Sequence, residues 1–272
     1  MGLELQIFEI YMNYITQIFE PQGSVIANEF QVGGATFQMI EVPGGKFTTN
    51  GNDTSKWLGP GHELFVSAFH LAKYPVSQQL WRAVVLEAKR RNIDAAKQLG
   101  AMPSYFSGSR RPVEYVDWEE ATIFCRLLNQ LLDVEEGFFR LPGEVEWEYA
   151  AKAGKVEVPD EHNLTATVAW RVENNGVETV SVGSLSPNKF GLYDMSGNVQ
   201  EWCEDDWFGN DYESEPPIQP YRNKPMRDGA RVVRGGAWFK DSWDCRLSYR
   251  SFEFYDKRTA FTGFRLAASI SA

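Results

Sequence analysis

The period of the apolar positions changes several times along the chain, and each change marks an element. Over residues 3–19, Leu3, Ile7, Ile10, Tyr11, Tyr14, Ile15 and Ile18 form one helical stripe, closed by the breaker Pro21-Gln-Gly23. Between Phe30 and Phe47 polar and apolar residues alternate as in strands, through the turn signal Pro43-Gly-Gly45. Phe65 to Leu71 reads as one more short strand. Helical spacing returns at Leu80, Trp81, Val84, Val85 and Ala88, with Ser77 as N-cap and Lys89-Arg-Arg91 as a basic end. Asn92 to Arg111 is polar, carries Gly100, Pro103 and Gly108, and reads as loop. Asp117-Trp-Glu-Glu120 is a capping-box pattern that opens a helix through Leu132, with Ala121, Phe124, Cys125, Leu128 and Leu132 inward. A shorter helix is expected from near Pro142 through Ala151, ending at Gly154. Residues 155–190 read as loop with short strands, and Pro216-Pro217 to Pro225 as a surface excursion. No linker separates two cores. The expected organisation is an N-terminal amphipathic helical appendage, 1–26, and one domain, 27–272.

The last forty residues break this regularity. Arg231-Val-Val-Arg-Gly-Gly-Ala-Trp238 and Gly263-Phe-Arg-Leu-Ala267 both read as strands. Between them, large aromatics (Phe239, Trp243, Tyr249, Phe252, Phe254, Tyr255, Phe261) alternate irregularly with charges such as Lys240, Asp241, Asp244, Glu253 and Lys257. Aromatics with polar neighbours on an irregular backbone are what recognition surfaces use. The plainer alternative is a long loop whose aromatics fold back onto the core, with Arg246, Arg250 and Arg258 in structural pairs.

Composition narrows the function. A chain of 272 residues, 43% hydrophobic and 14% aromatic, can bury a sizeable core. A net charge of -10 argues against nucleic acid as a partner. Cys125, Cys203 and Cys245 form no metal-ligand spacing, and His62, His70 and His162 are scattered. No apolar run approaches the roughly 18–20 residues of a membrane span, and the N-terminus has no secretory pattern. The expected location is cytoplasmic, with surface display by another route left open.

Several ordered segments carry a family resemblance. They are Val42-Pro-Gly-Gly-Lys-Phe47, Tyr74-Pro-Val-Ser-Gln-Gln-Leu-Trp81, Arg111-Pro-Val-Glu-Tyr-Val-Asp-Trp118 and Arg140-Leu-Pro-Gly-Glu-Val-Glu-Trp-Glu-Tyr-Ala-Ala151. Asn188-Lys-Phe-Gly-Leu-Tyr-Asp-Met-Ser-Gly-Asn-Val-Gln-Glu-Trp202, Arg234-Gly-Gly236 and Gly263-Phe-Arg265 follow. Together they resemble the formylglycine-generating-enzyme (sulfatase-modifying factor) family. The resemblance implies an α+β fold of C-type lectin type: small antiparallel sheets, flanking helices and much irregular loop. The family's oxidase binds copper with two cysteines five positions apart; here the second aligns with Cys245, but the first position is Lys240. A lone thiol cannot supply the paired soft ligands Cu(I) needs, so no catalytic residue is assigned.

The segment 231–267 also resembles the variable proteins of diversity-generating retroelements, in which a reverse transcriptase randomises template adenines within a C-terminal cassette. That resemblance implies a receptor-like binding protein. Its ligand-facing residues would be Phe239, Lys240, Asp241, Trp243, Asp244, Tyr249, Ser251, Phe252, Glu253, Phe254, Tyr255, Lys257, Thr259 and Phe261, against a protein or glycan ligand. Cys245-Arg246, Arg250, Asp256 and Arg258 would be fixed scaffold between them. The alternatives are an enzyme or accessory domain of the same family with an altered metal centre, and a fixed structural partner that oligomerises through the N-terminal helix.

One cation site is also implied. Asp194 and Glu201 stand seven positions apart around a Gly turn, a spacing able to wrap a hard cation. By resemblance, their side chains and the carbonyls of Gly197 and Val199 would hold a structural calcium. The alternative is that Glu201 pairs with an arginine and Asn198 caps the turn without metal. No cofactor is required. The pairs Glu119/Glu120 and Glu146/Glu148 read as solvated or ion-paired helix positions rather than acid/base groups.

Overall fold

The computed structural model describes residues 27–49, 63–154, 177–207 and 229–269. The expected N-terminal helix and the 216–225 excursion lie outside the described residues. Strands β1 (Ala27–Val32) and β2 (Ala35–Val42) form a hairpin turned by Gly33 and Gly34 at φ 54° and 82°, a turn additional to the one expected at Pro43-Gly-Gly45. They join β5 (Phe69–Ala72), β11 (Ala267–Ser269) and β6 (Phe139–Arg140) in a five-stranded sheet ordered β1-β2-β5-β11-β6. All its pairings are antiparallel, and the chain's last described strand sits inside it, between β5 and β6.

A second sheet carries the cassette. β7 (Gln200–Asp206), β8 (Ala230–Arg234), β9 (Arg250–Phe254) and β10 (Thr262–Gly263) are ordered β10-β7-β8-β9. β10 runs parallel to β7, and the other two pairings are antiparallel. β3 (Gly45–Thr48) and β4 (Glu63–Val66) form a separate pair.

The three α-helices among the described residues follow their caps. α1 (Gln78–Arg90) begins where Ser77 Oγ accepts from Leu80 N at 3.2 Å. α2 (Trp118–Leu132) opens on a complete capping box, with Asp117 and Glu120 bonding each other's backbone N–H groups. α3 (Glu144–Ala151) opens where Glu146 accepts from Gly143 N at 2.8 Å. Trp81 of α1 stacks on Phe124 of α2 at 5.1 Å, and the Phe264 ring edge meets both, so the family's Gly-Phe-Arg segment plugs the main core. Cys125 is buried there, its thiol pushed up to about 12 by desolvation, as befits a small hydrophobe.

The elements differ from expectation at several places. Gly263–Ala267 is not one strand but the end of β10 and the start of β11, with 264–266 between them. The described part of 155–190, residues 177–190, holds no strand. Phe65–Leu71 is two strands, β4 and β5, because its halves pair with different sheets. The loop after α1 contains a 3-10 turn, Asp94–Gln98. Arg231–Trp238 stops being a strand at Arg234, where Gly235 and Gly236 turn at φ 96° and 66°. The segment 239–262 is not wholly irregular: β9 lies within it, hidden from the sequence because its first residue is a buried arginine.

Candidate ligand-binding surface

Buried arginines hold the cassette in shape. Arg234, at the end of β8, donates to Glu148 Oε2 at 2.8 Å and to the carbonyls of Leu247 and Ser248 at 3.0 and 3.2 Å. Arg250, opening β9, grips both oxygens of Glu144 at 2.6 and 2.8 Å. Arg265 grips both oxygens of Glu201 at 2.6 and 2.7 Å, and Trp147 Nε1 donates to the same carboxylate at 2.7 Å. Gly236 is a steric requirement: a Cβ there would lie 2.6 Å from Cys245 Sγ and 2.8 Å from Asp244 O. The glycine pair therefore lets the 241–248 turn dock against the strand end.

The predicted ligand-facing residues divide by exposure. Phe239, Trp243, Phe254 and Tyr255 are large apolar groups left in solvent, and Asp241 and Lys257 are exposed beside them. Lys240, Asp244, Tyr249, Ser251, Phe252, Glu253, Thr259 and Phe261 are half-buried. Some of these are drawn together. Phe239 packs on Phe261 at 4.7 Å, and Lys240 Nζ lies 5.3 Å from the Phe239 ring centre and 3.0 Å from Asp244 Oδ2. Burial raises the Tyr249 hydroxyl, and the charge of Asp244, to which it is hydrogen-bonded, raises it further. Burial also raises Glu253, opposed by Lys240, Gln200 and Lys257. β9 sends its two faces apart: Ser251 and Glu253 stand on one, whereas Arg250, Phe252 and Phe254 share the other. Phe252 stacks on Trp207 at 5.2 Å and packs on the core, so it is more wall than ligand contact.

The cation site does not fit its expected ligand. Both Glu201 oxygens are taken by Arg265, and a calcium ion there would sit beside a guanidinium. Asp194 is buried, accepts from Gly183 N at 2.7 Å, and is pushed up to about 6 by desolvation. Asn198 Oδ1 accepts from Val180 N at 3.1 Å. The turn instead buttresses the cassette: Gly197 N donates to Gly235 O, Trp238 N to Asn198 O, and Ser196 Oγ to Cys245 O, at 2.7, 3.0 and 2.7 Å. A two-thiolate copper centre does not fit either. Cys245 is fully buried with its thiol on Ala237 O, and Lys240 turns to Asp244. Among the described residues no group of three or more His, Cys, Asp or Glu could hold a metal.

Some exposed aromatics escaped the sequence reading. Tyr105 and Tyr115 are solvent-facing, and Phe106 touches Trp238 edge-on at 5.5 Å. Their signal was aromatics set among Ser104, Ser107 and Gly108, the same composition that marked the cassette.

A family model for the sulfatase-modifying factor enzyme 1-like domain matches residues 27–270. The chain belongs to that family. Relatives include the chaperone protein LppX of Paenibacillus barcinonensis, 27% identical over 78% of this chain and 82% of that protein. The formylglycine-generating enzyme of Streptomyces coelicolor is 33% identical over 62% of this chain and 56% of the enzyme. Other curated relatives are longer, and the chain spans 38% of their length. Among solved structures, Treponema denticola variable protein 1 superposes with a TM-score of 0.75 at 28% identity, covering 90% of this chain and 99% of that one. The fold is the C-type lectin variant expected from the motifs, in a form like that of variable proteins. No helix among the described residues is long and apolar enough to cross a membrane.

Proposed function

We propose that this chain is a non-catalytic, receptor-like binding protein: the variable protein of a diversity-generating retroelement, presenting a changeable surface on a C-type lectin scaffold. One observation carries the reading. Within 234–265, the residues in solvent are cassette aromatics and their polar neighbours, whereas Arg234, Arg246, Arg250 and Arg265 between them are buried. Surface and scaffold are thus interleaved in sequence and largely separated in space, so most outward side chains can change without disturbing the frame. The exceptions are Asp256 and Arg258, expected as scaffold but exposed, and Trp243, whose ring stacks on the buried Arg246 guanidinium at 3.7 Å. Recognition would rest on desolvating Phe239, Trp243, Phe254 and Tyr255, with Lys240, Asp241, Asp244, Glu253 and Lys257 setting polarity. The frame forms the surface before binding, which lowers the ordering penalty.

Lys240 in place of the first cysteine, with a fully buried Cys245, supports a binding role over oxidation. The test is the DNA beside the gene. A near-copy of the codons for 231–267, differing at template adenines and adjoining a reverse transcriptase gene, is the expected finding. Its absence, together with copper uptake and oxygen consumption on a cysteine peptide, would move the assignment to the enzyme reading.

A further inference from the structure

The loop between α1 and α2 presents aromatic surface that no cassette position accounts for. Tyr105 is 71% exposed, Met102 77% and Tyr115 43%. The rings form an unbroken series: Tyr105 on Phe106 at 5.0 Å, Phe106 on Trp238 at 5.5 Å, Trp238 on Phe239 at 5.3 Å, and Phe239 on Phe261 at 4.7 Å. The Tyr105 and Phe106 rings outside the cassette and the aromatics within it thus form one continuous series.

That ledge is held in shape at some energetic expense. Tyr115 adopts φ 63°, a left-handed conformation that bulky residues rarely take, and its N–H donates to Thr259 O at 2.9 Å, inside the cassette. Next to it, Glu114 is fully buried, with its carboxyl raised by desolvation. Glu114 Oε1 accepts from Phe106 N at 2.8 Å, and Glu114 N donates to Ser104 Oγ at 3.2 Å. A strained tyrosine and a buried carboxylate thus fix the exposed Tyr105 ring and the half-buried Phe106 ring against the cassette edge.

We infer that the binding surface extends from the cassette onto this fixed ledge of Met102, Tyr105, Phe106 and Tyr115, and that the ledge takes an uncharged apolar peptide segment of a protein partner. The inference rests on the ligand-binding reading above. Charge selects the occupant. Lys240 is paired with Asp244 at 3.0 Å, and Arg258 with Asp117 and Glu120 at 3.1 Å each, so these two basic groups are already matched. Of the four ledge side chains only Tyr105 and Tyr115 offer a sugar a hydrogen-bonding group, whereas Met and aromatics are the residues enriched where proteins meet. The ledge would supply affinity common to all variants of the cassette, and the cassette would choose among partners.

The test uses the full chain, immobilised, and a phage-displayed library of random 12-residue peptides as probe. Enriched peptides are titrated against wild type, Tyr105→Ala, Met102→Ala and Phe239→Ala, all exposed positions whose loss leaves the fold intact. Rich apolar peptides are expected, weakened about ten-fold or more by Tyr105→Ala and by Phe239→Ala. Loss with Phe239→Ala but none with Tyr105→Ala or Met102→Ala overturns the ledge and leaves the cassette reading standing. Enriched peptides indifferent to every variant overturn both. No enriched peptide, with glycan-array binding that Phe239→Ala abolishes, overturns the peptide partner while keeping the cassette as a binding surface.

Discussion

Two sets of side chains share the segment 234–265 and obey opposite rules. Arg234, Arg250 and Arg265 are charged yet buried, and each is matched to a carboxylate at 2.8 Å or less. Phe239, Trp243, Phe254 and Tyr255 are apolar yet exposed. The difference locates stability and recognition in different residues of one stretch. A buried ion pair tolerates no loss of one partner, whereas an exposed ring contributes little to folding.

Substitutions should separate the two sets by size of effect. Arg265→Ala leaves Glu201 as an unpaired buried charge and should cost about 3–5 kcal/mol in urea unfolding, the largest loss expected. Asp205 comes next. Burial first, and then Glu144, pushes its carboxyl up to about 7, so the folded state keeps a proton that the unfolded chain loses above about pH 4. Its contribution is complete below that pH and disappears as pH rises through about 7. Between about pH 5 and 8, wild type should therefore lose stability relative to Asp205→Asn, by an amount on the order of 1–3 kcal/mol, read as a melting temperature that falls against the variant's. A constant gap would show that Asp205 does not titrate in that window.

Smaller effects sharpen the contrast. Gly236→Ala forces a left-handed alanine against Cys245, costing roughly 1–2 kcal/mol from the backbone alone. Asp117→Ala removes the cap of α2 and should cost about 1 kcal/mol by thermal melting. Phe254→Ser should shift stability by no more than about 0.5 kcal/mol, and Trp243→Ser by about 1 kcal/mol because its ring stacks on Arg246 at 3.7 Å. A loss of several kcal/mol at either exposed ring would erase the distinction between frame and surface.

The sequence announced what is local. Ser77, Asp117 and Glu120 cap helices where their spacing placed them, because a cap needs only a side chain and a nearby N–H. The ordered motifs announced the family and its fold. What sequence could not show depends on partners far along the chain. Glu201 lies 64 positions from Arg265, so its carboxylate looked available for a cation when it was not. Arg250 was legible as scaffold, but not its partner: Glu144, 106 positions away, makes it the buried start of β9. Phe252 and Phe254 were indistinguishable in sequence, and only Trp207 beneath Phe252 separates them. Tyr105 joined the surface through ring contacts that no periodicity encodes.

The separation of frame from surface is most directly examined by displaying every single substitution of residues 231–267 and scoring protease resistance of each. Free substitution is expected at Phe239, Phe254, Tyr255 and Lys257, with intolerance at Arg234, Gly236, Arg250 and Arg265. If the exposed aromatics prove as intolerant as the buried arginines, the cassette is core rather than a changeable binding surface.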